Sequence, residues 1–244
     1  MSERILLIDV GNTNTDFAVA TADRILRVVT VPTARLSGIP ASVGGYQACV
    51  LASVVPTVTR RLQRCLAVRP FLVGAGHDLG IRIRYPNKHQ IGADRLANAV
   101  ALVRLYGAPA IAVDFGTALT FDVVNASGEF VGGVIAPGLA AMTHYLHEHT
   151  ALLPRIRLRE PRGVLGKSTV GAMRIGAVIG YRGLVKEILG ALRRQPGLEH
   201  ATVVATGGYA RLIARRLPEI QHVNPKLTLE GLRFIYRHRW HESN

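Results

Sequence analysis

The chain has 244 residues, of which 48% are hydrophobic and 19% charged, so it can bury a large core as one domain or two small ones, and disorder is excluded as its default state. Its most apolar stretch, residues 108–124, carries Asp114 and Asp122, which excludes a membrane span there. A net charge of +14 invites nucleic acid as a partner, but the 30 Lys and Arg are spread over both halves without a basic tail, and nucleic acid is not the expected partner.

The opening residues lead directly into a strand-like run with no signal-peptide apolar region, so a cytoplasmic protein without a membrane partner is expected. Ile5-Leu-Leu-Ile-Asp9-Val-Gly11-Asn-Thr13 reads as an apolar strand closing on Asp-x-Gly and a Thr-bearing turn. A second strand is expected over 17–20, a polar turn over 21–24 and a third strand over 25–31. A buried strand over 48–55 contains Cys49, and Pro56 opens a helix over 57–66. With only Cys49 and Cys65 there is no disulfide framework, and both are read as structural. In 92–106, Leu96, Val100 and Val103 recur at helical period, which puts Asp94 in the first turn of a helix.

The opening pattern then returns. Ala110-Ile-Ala-Val-Asp114-Phe-Gly116-Thr117 repeats the strand, the acid and the turn 105 residues after Asp9, and strands over 119–124 and 130–135 follow a turn over 125–128. Such self-similarity predicts an α/β protein of two similar domains, 1–110 and 111–244, with an active-site cleft between them.

Further along, His144, His147 and His149 lack metal-ligand spacing, and a solvated helix face is the better reading. Arg155-Ile-Arg-Leu-Arg159 alternates like a strand with one solvated face. Gly166-Lys-Ser-Thr169 imitates the end of a phosphate-binding Walker loop, but Pro161 stands where that loop demands glycine. The alternative is a helix capped by Ser168 and running through Met173, Ala177 and Ile179. Another helix is expected after Gly207-Gly208.

At a strand end, Gly11 lets nearby amides and the Thr13 and Thr15 hydroxyls approach phosphate oxygens, while Asp9 can hold a metal ion or its waters. One such motif is weak evidence, because strand ends turn through Gly and Asn for structural reasons alone. Two copies supply what phosphoryl transfer needs: metal coordination, phosphate positioning and charge stabilisation.

With these motifs in place the sequence resembles the type III pantothenate kinases, a family of the acetate and sugar kinase, heat-shock ATPase and actin superfamily. The resemblance runs through Asp9-Val-Gly-Asn-Thr13, Tyr85-Pro-Asn, Gly92-Ala-Asp-Arg95, Asp114-Phe-Gly-Thr-Ala118, Gly132-Gly133, Pro137-Gly138, Gly166-Lys-Ser-Thr169, Ala205-Thr-Gly-Gly208 and Leu227-Thr-Leu-Glu-Gly231. It implies two ribonuclease H-like domains and transfer of phosphate from ATP to pantothenate, the first step of coenzyme A synthesis. It also implies Mg2+ with ATP, a monovalent cation (K+ or NH4+) at Asp114, and a homodimer joined through the second half.

The resemblance further assigns ATP to Asp9, Val10, Gly11, Asn12, Thr13, Asn14, Thr15 and Asp16, with Thr117 from the second loop. Tyr85, Gly92, Ala93, Asp94, Arg95 and Thr169 would bind pantothenate, and Asp94 would be the base. Three places depart from the family pattern, one being the short basic segment after Pro32, where a small edge element over 34–45 is expected to be altered or missing. Asp16 stands where a neutral or basic residue is expected, and a carboxylate there would repel phosphates unless it points away. Lys88-His89-Gln90 replaces the usual Pro-x-Glu. The competing readings are another small-molecule kinase or phosphatase of the superfamily, and a non-catalytic nucleic-acid-binding accessory protein.

Overall fold

The computed structural model describes residues 3–242. They form two units: residues up to Gly107, Gly128–Gly132 and those from Lys226 onward make the first, while Ala108–Ser127 and Gly133–Pro225 make the second. The chain first passes from one unit to the other at 107/108. The chain's last segment, however, packs with the first unit, whereas the expected division at 110 puts it in the second.

The first sheet contains β1 (Ile5–Val10), β2 (Asn14–Ala20), β3 (Ile25–Pro32), β4 (Ala48–Ser53) and β5 (Phe71–Leu72) in the order β3-β2-β1-β4-β5. Antiparallel pairing joins β1 to β2 and β2 to β3, and parallel pairing joins β1 to β4 and β4 to β5. Leu6, Ile8 and Val10 pack on one face with Phe17, Leu51, Val58 and Leu62, the last two from helix α1 (Pro56–Cys65). By strand period Ile5, Leu7 and Asp9 take the opposite face. Both faces of β1 are buried, which is why its sequence is a continuous apolar run interrupted only by Asp9.

In place of an edge element, residues 33–43 form two single helical turns, Thr33–Arg35 and Ala41–Val43, whose Leu36 and Val43 reach the core. Cys49 is buried there too, and loss of hydration pushes its thiol up to about 12, so it is inert as a nucleophile at neutral pH.

The second sheet repeats the first. Its strands β6 (Ala110–Phe115), β7 (Ala118–Val124), β8 (Phe130–Pro137), β9 (Thr202–Thr206) and β10 (His222–Val223) lie in the order β10-β9-β6-β7-β8. Again the first strand pairs antiparallel with the second and parallel with the fourth. β1 and β6 share the same burial pattern residue for residue, with the acid as the one half-buried position. The duplication visible in the sequence is therefore a duplication of topology, and the chain is an α/β protein of the expected class.

Helix α2 (Ala93–Tyr106) lies in the first unit beside α7 (Leu227–Arg237), the C-terminal helix. Helix α7 is buried almost all round: Leu227, Leu229, Leu232, Ile235 and Tyr236 are all covered, and Gly231 lies directly on the backbone of Ala97 in α2. Thr228 donates to Asn98 at 2.9 Å across the same contact, and Tyr236 donates to Glu3 at 2.7 Å. These contacts assign the C-terminal segment to the first unit. They depend on long-range packing, which hydrophobic periodicity along the chain does not reveal.

In the second unit, α3 (Leu139–Glu148) follows β8, and an irregular segment leads to α4 (Thr169–Ile175). A π turn at Gly176–Gly180 joins α4 to α5 (Tyr181–Arg193). Helix α6 (Ala210–Ala214) follows Gly207-Gly208, as expected. Ser168 caps α4, its hydroxyl accepting from the Gly171 amide at 3.1 Å, and Lys167 is exposed beside it. The arginines at 155, 157 and 159 are exposed and Ile156 and Leu158 half-buried, but this segment joins no sheet among the described residues. The expected strand there is corrected. The alternation reflects a chain lying flat on the unit and fastened by Glu160, which takes two bonds from Arg182, at 2.6 and 3.0 Å.

Candidate active site

The first candidate loop is held from behind. After β1 the chain turns through Gly11-Asn12-Thr13, with the Gly11 amide donating to the Asn14 carbonyl at 2.9 Å. Thr33 braces this turn: its hydroxyl donates to the Gly11 carbonyl at 2.7 Å and its amide to the Thr13 carbonyl at 2.9 Å. With its proton committed to Gly11, the Thr33 oxygen accepts from the Thr15 hydroxyl at 3.0 Å. Asn12, Thr13 and Asn14 stay exposed. Thr15 is fully buried, which corrects the expectation that its hydroxyl reaches phosphate. Nothing in the sequence marks Thr33 as a support of this loop, because only the fold brings the residue after β3 against the turn after β1.

Asp9 pairs in register with Asp16, and Asp16 with Thr30, so the three side chains form one row across β1, β2 and β3. The Thr30 hydroxyl donates to the Asp16 carboxylate. In the second sheet the corresponding pair is Asp114 and Thr120, so Asp16 adds an acid that the second copy lacks. Like charges directly opposed across strands destabilise a sheet. The Thr30 bond offsets part of that cost and directs the Asp16 carboxylate toward β3.

Asp94 occupies the second position of α2, behind Gly92, which caps the helix without a side chain. Its Oδ1 accepts from the Arg95 amide at 2.8 Å, doing the capping that Gly92 does not. Loss of hydration raises the Asp94 carboxyl above the ordinary aspartate value, and the Arg95 amide and charge only partly oppose this. Val54 ties this corner to the first loop: its amide donates to the Val10 carbonyl at 3.1 Å, and its Cγ1 lies 3.5 Å from where a side chain on Gly92 would begin. Ala93 is buried, and Arg95 is half-buried.

Tyr85 and Arg95 meet on a common support, Phe130. The Tyr85 and Phe130 rings lie 6.2 Å apart, and the Arg95 guanidinium is 5.7 Å from the Phe130 ring centre. Main-chain bonds from Arg84 to Phe130 at 2.8 Å and from Phe130 to Arg82 at 2.9 Å bring the strands together. Phe130 was legible only as a strand residue. Its role as the floor under Tyr85 and Arg95 depends on this pairing. Lys88-His89-Gln90 forms an exposed helical turn between Tyr85 and α2.

The second candidate loop, Gly116-Thr117, is one residue shorter than the first, with the Gly116 amide donating to the Ala118 carbonyl at 3.1 Å. Thr117 is exposed and Asp114 half-buried. Two glycines press on it. Gly207, at φ +88°, lies against the Asp114 carboxylate and the Phe115 backbone, and Gly138 lies against the Thr117 carbonyl. A side chain at either position would displace the loop. Thr169 stands exposed as the first residue of α4.

The structure therefore gathers the sequence-predicted residues in groups. Asp9 to Asp16, Tyr85 and Gly92 to Arg95 lie in the first unit, and Asp114, Thr117 and Thr169 in the second.

A family model described as type III pantothenate kinase matches residues 5–191. A type III pantothenate kinase from Akkermansia muciniphila is 50% identical over 233 residues, spanning 93% of this chain and 96% of the relative. One from Methylacidiphilum infernorum is 43% identical, spanning 95% of this chain and 87% of the relative. Among solved structures, a Baf family protein from Campylobacter jejuni superposes with a TM-score of 0.64 at 19% identity, spanning 96% of this chain and 98% of that one. At that identity the likeness speaks to the fold.

Proposed function

This chain belongs to the type III pantothenate kinase family, and from that membership and the geometry of Asp94 we infer that it phosphorylates pantothenate with ATP to give 4'-phosphopantothenate, in the cytoplasm. The observation that carries the reading is a carboxylate fixed at a helix start by one oxygen and made more basic than an ordinary aspartate by burial, as suits a general base. Asp94 takes the proton of the primary hydroxyl as that oxygen bonds to the γ-phosphorus and the bond to the β-phosphate oxygen breaks, releasing ADP. Tyr85, the Gly92–Arg95 corner and Thr169 bind pantothenate. Arg95 serves its carboxylate or the transferring phosphate, since the guanidinium fork fits either anion.

ATP phosphates rest on the main chain of Gly11 to Asn14 and on Thr117, with Val10 and Thr15 shaping the turn. The Asp9 carboxylate would hold the Mg2+ that accompanies ATP, or its waters, and that ion would screen the phosphate charge, while the Thr30 bond draws the neighbouring Asp16 carboxylate toward β3 and lessens its repulsion of phosphate. Asp114 holds the monovalent cation.

Purified protein given ATP, magnesium, potassium and a panel of small hydroxy acids should add phosphate to pantothenate alone, read by product mass. Replacing potassium with sodium should lower the rate, and Asp114→Ala should abolish the difference. Full turnover in sodium with no gain from potassium or ammonium would remove the monovalent site, and phosphate on another acceptor would remove the substrate assignment.

The chain acts as a homodimer through the second unit. Helix α3 leaves Met142, Tyr145 and Leu146 exposed on one stripe, and Val170 and Ile179 are exposed on the helix that follows Ser168. An apolar stripe of this kind fits a second copy. Light scattering at assay concentration should give twice the 26.4 kDa chain mass, and a fully active monomer would defeat the dimer.

A further inference from the structure

Tyr181 lies at the junction of the π turn and α5, fully buried, in a part of the chain that none of the binding motifs includes. A π turn inserts one residue into a helix and rotates everything after it, so it re-aims the side chain that follows. Here that side chain reaches two places at once. The Tyr181 ring lies beside Phe115, with centres 6.4 Å apart and planes tilted by 53°, and its hydroxyl donates to the Pro137 carbonyl at 3.1 Å. Phe115 is the residue before Gly116-Thr117. Pro137 is the residue before Gly138, whose backbone presses on the Thr117 carbonyl and comes so close to Gly116 that a Cβ would stand 2.8 Å from the Gly116 oxygen.

We propose that Tyr181 is a positioning residue for nucleotide binding, clamping the Gly116-Thr117 loop between β6 and the β8–α3 junction without touching the ligand. The inference rests on the assignment of that loop to ATP. Burial pushes the phenol up to about 12, with the Leu139 amide working the other way, so the hydroxyl remains a donor throughout the working pH range. Gly138 can follow Thr117 closely only while Pro137 stays in place, and the Tyr181 bond is what holds that carbonyl from the helix side. Phe at this position keeps the ring against Phe115 and removes the bond alone.

Tyr181→Phe should weaken the binding of MgATP, measured by calorimetry without acceptor, by about fivefold, the factor that one lost hydrogen bond commands. The KM for ATP should rise in parallel, while the KM for pantothenate stays within about twofold and the melting temperature within a few degrees. Unchanged ATP affinity would overturn the proposal. So would a loss in which pantothenate KM and melting temperature shift as far as ATP affinity, because that marks an ordinary core residue. Failure of the unmodified protein to phosphorylate pantothenate would count against the substrate assignment only, since the calorimetric ratio is read without any acceptor.

Discussion

Asp94→Asn should lower kcat by about 10²-fold or more, the usual range for a lost general base, while ATP binding stays largely intact. Asparagine keeps the shape and can still accept from the Arg95 amide, so the capping of α2 survives. The direction of the Asp94 pKa adds a second, less obvious consequence. Its carboxyl is raised by loss of hydration, so the folded state binds this proton more tightly than the unfolded chain does. Ionised Asp94 therefore costs stability at neutral pH, and that cost disappears as pH falls through the raised value. Activity runs the other way: the base must be ionised, so kcat should decline on the acid side at a higher pH than an ordinary aspartate would give. The neutral asparagine should leave the melting temperature equal or slightly higher, and the acid limb belonging to Asp94 should vanish from the residual rate. A variant with near-unmodified kcat and only a raised KM for pantothenate would make Asp94 a binding residue instead.

What the sequence makes legible here is local and repeated. The strand that ends in Asp9-x-Gly11 and its copy at Asp114 are readable because a strand buried on both faces must be a continuous apolar run, and the one acid in each interrupts it at the same place. The first turn of α2 is readable from the 3.6-residue recurrence after Asp94, and the cap at Ser168 from the residue types. The supports of the site are not readable in this way. Thr33 braces the first loop from 22 residues away, and Phe130 underlies Tyr85 and Arg95 from a strand in another part of the chain. Each depends on a pairing register that no single segment encodes. Arg155 to Arg159 shows the converse. Its alternation predicts a strand, yet what the alternation records is one side facing solvent, which an unpaired extended segment satisfies equally well.

The sharpest test of the long-range packing is a pair of glycine-to-alanine changes with opposite expected signs. Both glycines sit in helices, where alanine is favoured by about 1 kcal/mol if nothing else changes. At Gly183, in α5, nothing beyond the adjoining residues and the helix's own backbone lies within 4 Å of the added Cβ, so Gly183→Ala should stabilise by close to that amount. At Gly231 the added Cβ would overlap the carbonyl of Ala97, and the obstacle is helix backbone, which cannot rotate aside like a side chain. Forcing α7 away from α2 costs about 3 kcal/mol, the upper part of the overpacking range, because both helices are buried at the contact. The overlap wins by about 2 kcal/mol, so Gly231→Ala should lower the melting temperature by roughly 4–8 °C. Thermal melts of the two variants beside the unmodified protein decide the matter. A Gly231→Ala protein as stable as its parent would mean that α7 does not rest on α2 at this glycine.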